Sequence, residues 1–400
     1  MKTLAWILVF LTAAAWVAPA SAQEGLPILS RIQLDVYGYV KLDASYDSQQ
    51  TVAGNLMFFV LPEGPDGGKH EFNMTARESR LGLNLSVPGL DEYNVGAKFE
   101  IDFYSGVAEN AANPRMRLAY LAIEKGNYSL LAGQDWETFI VAGPGYAVIP
   151  RIVNFSFLAD AGALGLRRPQ LRLTRDAQIG ENTRFITKIA AARTIGGDLA
   201  GDGQNDGAAA GYPTGQGSLV LVTRAFGNRQ TVLGLSGHFG SERVAAHTRD
   251  LPAGEPVYVP RKDYDTWSVI GNISQELSDT LRVQGGLWSG ENLDTYFGGI
   301  GQGINPVQQT GIAAQGGWAQ LVYQPTQKLN LNLGYGLDDP KSGDLNPGQR
   351  EKNELIFASA FYQVASHVTW ANEYSFLTTS YKDGDDAENH RVQSSMIFRF

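Results

Sequence analysis

Tyr93-Asn-Val-Gly-Ala-Lys-Phe-Glu-Ile-Asp-Phe103 alternates between apolar and polar residues along its whole length. Successive side chains of a β-strand point to opposite faces, so this stretch predicts a strand with one apolar and one polar face. Residues 328–337 repeat the alternation with leucine and asparagine, and residues 391–400 carry it to an aromatic last residue. Period-two alternation therefore decides the fold, because it recurs from one end of the chain to the other.

The alternating stretches predict about sixteen strands joined by connections of two kinds. Short turns such as 125–127 and 227–229 alternate with long polar loops such as 194–216 and 241–263. Two-faced strands would also suit a soluble sheet with one wet face. An even number of strands with short turns on one side and long loops on the other is typical of a transmembrane β-barrel. The predicted strands are 35–46, 72–86, 93–103, 115–124, 128–136, 164–174, 183–193, 217–226, 230–240, 264–274, 280–290, 314–323, 328–337, 353–363, 366–378 and 389–400.

We therefore expect an all-β chain that forms a closed, antiparallel transmembrane barrel over residues 35–400. Closure has a physical cause, since every backbone N–H and C=O in hydrocarbon needs an internal partner and a closed sheet has no edge. The last strand, ending at Phe400, should pair beside strand 35–46. Aromatic residues near strand ends should form the girdles at the two membrane interfaces, namely Tyr93, Phe103, Tyr128, Trp136, Tyr323 and Tyr381.

The first 22 residues predict a secretory signal peptide. Lys2 precedes an apolar run over residues 4–17, and the small residues Ala20-Ser21-Ala22 follow. A membrane anchor is the alternative, but the run is shorter than the roughly 20 residues that a spanning helix needs. A short N-terminal segment, residues 23–34, would then precede the barrel.

Composition excludes several other classes of protein. The chain has no cysteine, which removes disulfides and thiolate sites, and its net charge of −9 argues against nucleic acid as a partner. The signatures G-x-S-x-G, H-E-x-x-H and G-x-x-x-x-G-K-[ST] are absent, and the five histidines are scattered. His238 and Ser236 could pair in a hydrolase, but two residues apart on one strand they predict only two polar lumen side chains. We expect no enzymatic activity, no cofactor and no metal site.

Several cations occupy positions whose neighbours must face lipid, which directs the cations into the lumen. On strand 115–124, for example, Met116, Leu118 and Tyr120 are expected to face lipid. An arginine on the lipid face near the middle of the bilayer would cost roughly 2–4 kcal/mol. The cations predicted to line the lumen and guide anions are Arg80, Lys98, Arg115, Arg117, Arg168 and Arg172.

Two interpretations of these cations remain open. They could pair with lumen carboxylates and only stiffen the wall, or an excess of positive charge could guide anionic solutes.

The connection 137–163 differs from the other long loops because it is apolar. Exposed to water, it would form an aggregation-prone patch, so we expect it to fold inward as a constriction loop. Packing across a subunit contact is the alternative. Its predicted constriction residues are Phe139, Tyr146, Phe155 and Phe157. The glycine-rich stretches 196–206 and 298–303 are expected to be solvated loop tips.

Six segments, in order and spacing, resemble the DcaP-like outer-membrane porins. They are Leu34-Asp-Val-Tyr-Gly-Tyr-Val-Lys-Leu-Asp-Ala-Ser-Tyr-Asp47, Glu78-Ser-Arg-Leu-Gly-Leu83, Gly133-Gln-Asp-Trp-Glu-Thr-Phe139, Arg168-Pro-Gln-Leu-Arg172, Gly317-Trp-Ala-Gln-Leu321 and Gly334-Tyr-Gly-Leu-Asp-Asp-Pro340. The resemblance implies a sixteen-stranded, trimeric porin in the outer membrane of a Gram-negative bacterium, with a preference for small anions such as dicarboxylates. It maps basic lumen residues onto Arg80, Arg117, Arg168 and Arg172. Members can carry a helical coiled coil before the barrel, whereas only residues 23–34 separate the predicted signal from the first strand.

The sequence thus predicts a passive porin that favours small anionic solutes, with outer-membrane lipid and two further copies of itself as partners. A nonspecific diffusion porin is the alternative within the same class. A barrel enzyme would need a converging nucleophile and base, and a surface adhesin would need a dedicated binding module.

Overall fold

The structure is a computed structural model that describes residues 32–52, 54–65, 68–90, 92–106, 111–139, 152, 161–249 and 257–400. The predicted signal peptide, residues 1–22, lies outside the described residues. The strands are β1 (Gln33–Asp47), β2 (Glu71–Thr75), β3 (Arg80–Leu90), β4 (Tyr93–Ser105), β5 (Asn113–Lys125), β6 (Tyr128–Trp136), β7 (Arg167–Ile179), β8 (Thr183–Ala192), β9 (Thr214–Phe226), β10 (Arg229–Val244), β11 (His247–Arg249), β12 (Val257–Val259), β13 (Lys262–Glu276), β14 (Leu281–Glu291), β15 (Ile304–Asn305), β16 (Thr310–Gly311), β17 (Ala313–Thr326), β18 (Leu329–Pro340), β19 (Arg350–Ala365), β20 (Val368–Tyr381) and β21 (Ala387–Arg399).

Helical structure in the described residues is confined to single turns in the loops. There is one short α-helix, α1 (Asp206–Ala209), together with the 3-10 turns Gly54–Leu56, Asp294–Tyr296, Gly299–Gly301 and Ser342–Asp344. None of the described helices has the length and apolarity to cross a bilayer.

The long strands pair antiparallel with their neighbours and close into a 16-stranded barrel, as the sequence predicted. β2 and β3 together occupy one strand position of the barrel, with residues 76–79 interrupting the strand between them. The first half of β1 pairs with β3 and its second half pairs with β2. β1 also pairs with β21, from Tyr39 opposite Arg399 to Asp47 opposite Arg391. Gly38 and Phe400 exchange two backbone hydrogen bonds of 3.1 and 3.2 Å, which confirms the predicted seam.

Alternation places apolar side chains on the outside of the barrel and polar ones inside. Leu287 is the extreme case, with 75% of its surface exposed on the outer face. The girdle residues Tyr93, Tyr128 and Tyr323 are also exposed. Tyr381, in contrast, points inward and donates a hydrogen bond of 2.6 Å to the Val60 carbonyl, so its predicted girdle role was wrong.

The alternation shifts by one residue at a β-bulge on β5. Ile101 pairs with Met116, but Glu100 pairs with Leu118, so one extra residue lies between the two pairs. Met116 is exposed to lipid as predicted, whereas Leu118 is buried at 5% exposure opposite an inward carboxylate. Tyr120 pairs with inward-facing Lys98. The prediction that Leu118 and Tyr120 face lipid was therefore wrong. The bulge reverses which residues of β5 point inward from Leu118 to the end of the strand.

The hydrophobic core lies inside the barrel, where three long loops pack against one part of the wall. Met57 and Val60 from loop 48–70 and Ala161 and Ala163 from loop 137–166 join one cluster. The wall residues of this cluster are Trp318, Leu355, Phe357, Leu377 and Ala387. These loops thus fill the part of the lumen next to β17–β21.

A second cluster joins loop 137–166 to loop 292–312. Phe139 and Leu164 pack with Leu293 and Tyr296 against the inner faces of β13, β14 and β17. The Trp288 indole donates a hydrogen bond of 2.9 Å to the Gly162 carbonyl. A Cβ at Gly162 would lie 2.1 Å from a wall carbonyl, so the chain can approach the wall this closely only with glycine. The described residues of this loop, 137–139, 152 and 161–166, therefore lie inside the barrel.

The glycine-rich stretch 298–303 is not the solvated tip that the sequence predicted. Ile300 is fully buried, and its amide donates a hydrogen bond of 2.9 Å to Asp338 on β18. The Gly299 amide donates to the other oxygen of the same carboxylate at 3.2 Å. The prediction was wrong because this loop folds back into the barrel mouth, where small residues fit against the wall. Stretch 196–206 is exposed over residues 201–204, whereas Asp206 is buried.

Candidate functional site

Seven cationic side chains lie on strands β3–β8, away from the wall strands β17–β21 against which the described residues of loops 48–70 and 137–166 pack. We call this set the cationic arc. Among the described residues, three carboxylates lie within ion-pair distance of it, namely Glu100, Asp102 and Asp135. The members of the arc are Arg80, Lys98, Arg115, Arg117, Arg167, Arg172 and Lys188.

On β3–β5, three arginines of the arc share two carboxylates. Arg115 binds Asp102 through two hydrogen bonds of 2.9 and 2.6 Å. Arg117 bridges Glu100 at 2.7 Å and Asp102 at 2.8 Å. The Nε of Arg80 lies 3.6 Å from the same Glu100. This cluster carries more positive than negative charge, and charge-assisted bonds hold its carboxylates in place.

Four cations of the arc lie over the faces of aromatic rings. A cation above an aromatic face is attracted to the ring and keeps its N–H groups free to bind an anion from the other side. The distances from cation to ring centroid are 5.1 Å for Arg80 over Tyr39, 4.8 Å for Lys98 over Tyr37, 5.8 Å for Arg117 over Trp136 and 5.1 Å for Arg167 over Trp136. Trp136 therefore lies between arginines rather than in the predicted girdle.

Three members of the arc have no carboxylate within ion-pair distance among the described residues. Lys98 contacts the ring of Tyr37, and Lys188 on β8 lies near Arg172 without an ion pair in the described part of the chain. The Nε and Nη1 of Arg167 are buried and have no hydrogen-bond partner among the described residues. Lys98 and Lys188 are partly exposed, so these two lysines are the unpaired cations that an anion could meet.

Arg172 is both paired with a carboxylate and partly exposed. Its Nη2 donates to Asp135 at 2.7 Å, and its Nη1 donates to the Trp136 carbonyl at 3.1 Å. Its Nε is buried and has no hydrogen-bond partner among the described residues. The side chain thus braces the wall and remains partly exposed.

Arg168 faces inward as predicted, but loops close it off from the channel. It has 0% exposure, forms an ion pair with fully buried Glu137 and donates to the Thr295 carbonyl at 2.7 Å. Its guanidinium lies 3.9 Å from the centroid of the Tyr296 ring. Burial raises the pKa of Tyr296 to about 12, so this ring is neutral at physiological pH. The anion-guiding role predicted for Arg168 is therefore replaced by a structural one, since a solute cannot reach it.

The pair that could have served a hydrolase does not form. His238 is buried, and its ring nitrogens contact the Ser268 hydroxyl at 2.7 Å and the Thr266 hydroxyl at 3.0 Å. The His238 ring also stacks on Tyr296 with centroids 3.9 Å apart. Each ring nitrogen is thus engaged by a neighbour other than Ser236.

Among the predicted constriction residues, Phe139 is 2% exposed and packs inside the barrel. Tyr146, Phe155 and Phe157 lie outside the described residues. Sequence reasoning missed Arg167 and Lys188. Lys188 could have been found from Ile189, which is exposed to lipid and so directs its neighbour inward.

The sequence matches no family model and no curated protein. The fold does match solved structures. The outer membrane channel DcaP of Acinetobacter baumannii has a TM-score of 0.70 and 18% identity, with 94% of this chain and 100% of that chain covered. The anion-selective porin from Comamonas acidovorans has a TM-score of 0.58 and 12% identity, covering 92% and 100%. The trimer form of OmpT, an outer membrane protein of Vibrio cholerae, has a TM-score of 0.56 and 13% identity, covering 92% and 99%.

These likenesses extend over almost the entire barrel. A closed barrel with an apolar outer face is the architecture by which β-proteins span outer membranes, which confirms the predicted location. The resemblance to DcaP that the sequence indicated is also confirmed at the level of the fold. The chain therefore has the fold of the DcaP-like outer-membrane porins.

Proposed function

We propose that this chain is a passive porin that carries small hydrophilic solutes across the outer membrane and favours anions such as dicarboxylates. The observation that carries the proposal is the imbalance of the cationic arc, in which, among the described residues, four of seven cations share three carboxylates and the other three have none within ion-pair distance. In a narrow lumen such charges act at a lower effective dielectric constant than in bulk water, so they outweigh distant acids on the loops.

The spacing of the arc supports a preference for solutes with more than one carboxylate. Arg80 and Arg115 lie near the outer ends of their strands, whereas Lys98 and Lys188 lie further toward the periplasmic turns. A solute with two anionic groups can contact two levels of the arc at once, and a guanidinium can bind a carboxylate through two parallel bonds. The cations of the arc therefore lie at successive levels of the barrel, where a solute could contact them one after another.

A nonspecific diffusion porin is the second candidate, because four of the seven cations of the arc are already paired with a carboxylate, which reduces the positive charge that a solute meets. Among the described residues we find neither the converging nucleophile and base that a barrel enzyme needs nor the dedicated binding module of a surface adhesin. We further propose assembly as a homotrimer surrounded by outer-membrane lipid, in line with the trimer form of the OmpT neighbour.

A planar-bilayer recording across a salt gradient tests the proposal. We expect ohmic channel events and a reversal potential on the anion side, and dicarboxylates should reduce the chloride current in a concentration-dependent way. Channels with a reversal potential of zero would favour the nonspecific porin, and absence of channels from folded barrels would refute both.

A further inference from the structure

A buried group of oxygen atoms lies where the outer end of β10 meets loop 292–312. Glu242 on β10 is 2% exposed, and Asn292 at the start of the loop is 1% exposed. The Asn292 side-chain amide donates a hydrogen bond of 3.0 Å to Glu242 Oε1. Because an ionised carboxylate only accepts hydrogen bonds, this contact identifies the nitrogen of the amide and directs its oxygen away from Glu242.

The amide oxygen of Asn292 lies close to a second carboxylate. It is buried and has no hydrogen-bond partner in the described part of the chain. Asn292 Oδ1 and Asp294 Oδ1 lie 2.3 and 2.6 Å from the point that a Cβ on Gly303 would occupy, so the two oxygens are within about 5 Å of each other. The Thr295 amide donates to Asp294 Oδ1 at 2.7 Å and orients this carboxylate. Both oxygens are acceptors, so neither can satisfy the other.

Negative charge exceeds positive charge around these oxygens. Among the described residues, no ion pair joins Glu242 or Asp294 to a cation. Arg168 is near enough to act on both carboxylates, but its guanidinium is already paired with Glu137. Three carboxylates thus share one positive charge in a region where an uncompensated buried charge is costly.

We propose that Asn292 Oδ1 and the Asp294 carboxylate bind a Ca²⁺ ion, with Glu242 as a positioning residue that holds the amide and adds negative charge. Ca²⁺ takes about six to eight oxygen ligands, combines carboxylate with amide oxygens and accepts water at its remaining positions. Gly303 leaves the space in front of both oxygens free of a side chain. The ion supplies the positive charge that the three carboxylates lack.

The ion fastens loop 292–312 to the wall. Asp294 begins the 3-10 turn whose Thr295 carbonyl and Tyr296 ring cover Arg168. Ca²⁺ thus joins β10 to the turn that seals this arginine, a role that is separate from solute passage and does not depend on the proposed function. Such a site has no sequence motif, since Glu242 and Asn292 lie 50 positions apart, and the sequence predicted none.

The experiment treats the folded barrel, in a non-ionic detergent, with EDTA and then titrates it with Ca²⁺ alone at neutral pH. Bound Ca²⁺ is measured by equilibrium dialysis, and the unfolding temperature is measured by circular dichroism. Asp294→Asn removes one charge and keeps the shape of the side chain, and Glu242→Gln keeps an oxygen that accepts from Asn292. Asp265→Asn is the matched control for Asp294→Asn, because Asp265 is exposed on β13 and takes no part in the buried group.

We expect the wild type to bind one Ca²⁺ more than Asp294→Asn, with a Kd of about 0.1–1 mM. A tenfold excess of Ca²⁺ over Kd should raise the unfolding temperature of the wild type by about 3 °C. Asp294→Asn should lose this rise, Glu242→Gln should bind at least about tenfold more weakly, and Asp265→Asn should match the wild type. Without Ca²⁺, Asp294→Asn should be more stable than the wild type, because its amide can donate to Asn292 Oδ1.

Absence of Ca²⁺ binding to the folded wild type would overturn the inference, as would undiminished binding by Asp294→Asn or an equal rise in unfolding temperature in every variant. A wild type that is stabilised by acid but not by Ca²⁺ would show that a proton, and no metal ion, lies between the two oxygens. If Asp294→Asn does not fold, the comparison of Glu242→Gln with the wild type decides by the same two measurements.

Discussion

Neutralising the unpaired lysines of the cationic arc should lower anion preference without weakening the barrel. Lys98 and Lys188 point into the lumen and form no ion pair within the described residues. The change Lys98→Gln/Lys188→Gln therefore removes two charges and leaves no carboxylate without its partner. Side-chain length is nearly preserved, so packing should stay the same.

The magnitude follows from Coulomb's law. An anion that passes about 8 Å from a lumen cation, at an effective dielectric constant of about 40, gains about 1 kcal/mol from that charge. This energy corresponds to about a fivefold change in occupancy. At 0.1 M salt the screening length is about 10 Å, so nearby charges still act while those on distant loops are screened. We expect the anion-to-cation permeability ratio to fall by up to about fivefold for each lysine.

The assay is the reversal potential in planar bilayers under a salt gradient, recorded near 0.1 M salt. Lys125→Gln is the control for each single change, since Lys125 is an exposed lysine that pairs with Glu92 at a short turn and its replacement removes one positive charge. A double variant with the wild-type reversal potential, or a control with the same decrease, would refute the reasoning that lumen charge sets selectivity.

Further changes test the other parts of the structure. Arg168→Met leaves Glu137 buried without its counter-charge, so we expect a loss of about 3–5 kcal/mol, read as a lower unfolding temperature of the heat-modifiable band, and partial recovery in Arg168→Met/Glu137→Gln. Deleting Phe400 removes both backbone bonds to Gly38 and should reduce the yield of folded barrel in refolding gels; equal yields would show that the seam does not need them. Asp202→Asn, on an exposed loop tip, should leave the reversal potential unchanged. Native mass spectrometry in mild detergent should give three times the monomer mass, and a monomer alone would contradict the proposed trimer.

The barrel could be predicted from the sequence because alternation is a local signal that each strand carries independently. Fifteen of the sixteen predicted strands are present as single strands, and most extend a few residues further than the pattern indicated, as Gln33–Asp47 does. The predicted strand 72–86 is divided into Glu71–Thr75 and Arg80–Leu90. The bulge on β5 could not be predicted, since an extra residue at Arg117 preserves the inward direction of both Arg115 and Arg117 while reversing the residues below. The inward direction predicted for Arg115 and Arg117 was thus correct, although only Met116 of the three residues from which it was inferred faces lipid.

The candidate site was predicted less well, because side-chain direction says nothing about what covers a side chain. Arg168 and Arg172 have the same parity on β7, yet Arg168 is sealed beneath Thr295 and Tyr296 whereas Arg172 remains partly exposed. That difference depends on loop 292–312, which lies over 120 positions later in the chain. Contacts between distant loops have no periodic signature, so only the three-dimensional structure shows which inward arginine a solute could meet.

The packing of the described loop residues against β13–β21 has an evolutionary consequence. Under the proposed function, substitutions of Lys98 and Lys188 would change which solutes pass while the clusters around Phe357 and Tyr296 continue to hold the barrel together. Most mutations that alter a binding surface also risk unfolding the protein that carries it. Lys98 and Lys188 belong to neither cluster, so descendants of this chain could adapt to a new nutrient through single exchanges of these lysines, each tolerated by selection as it arises.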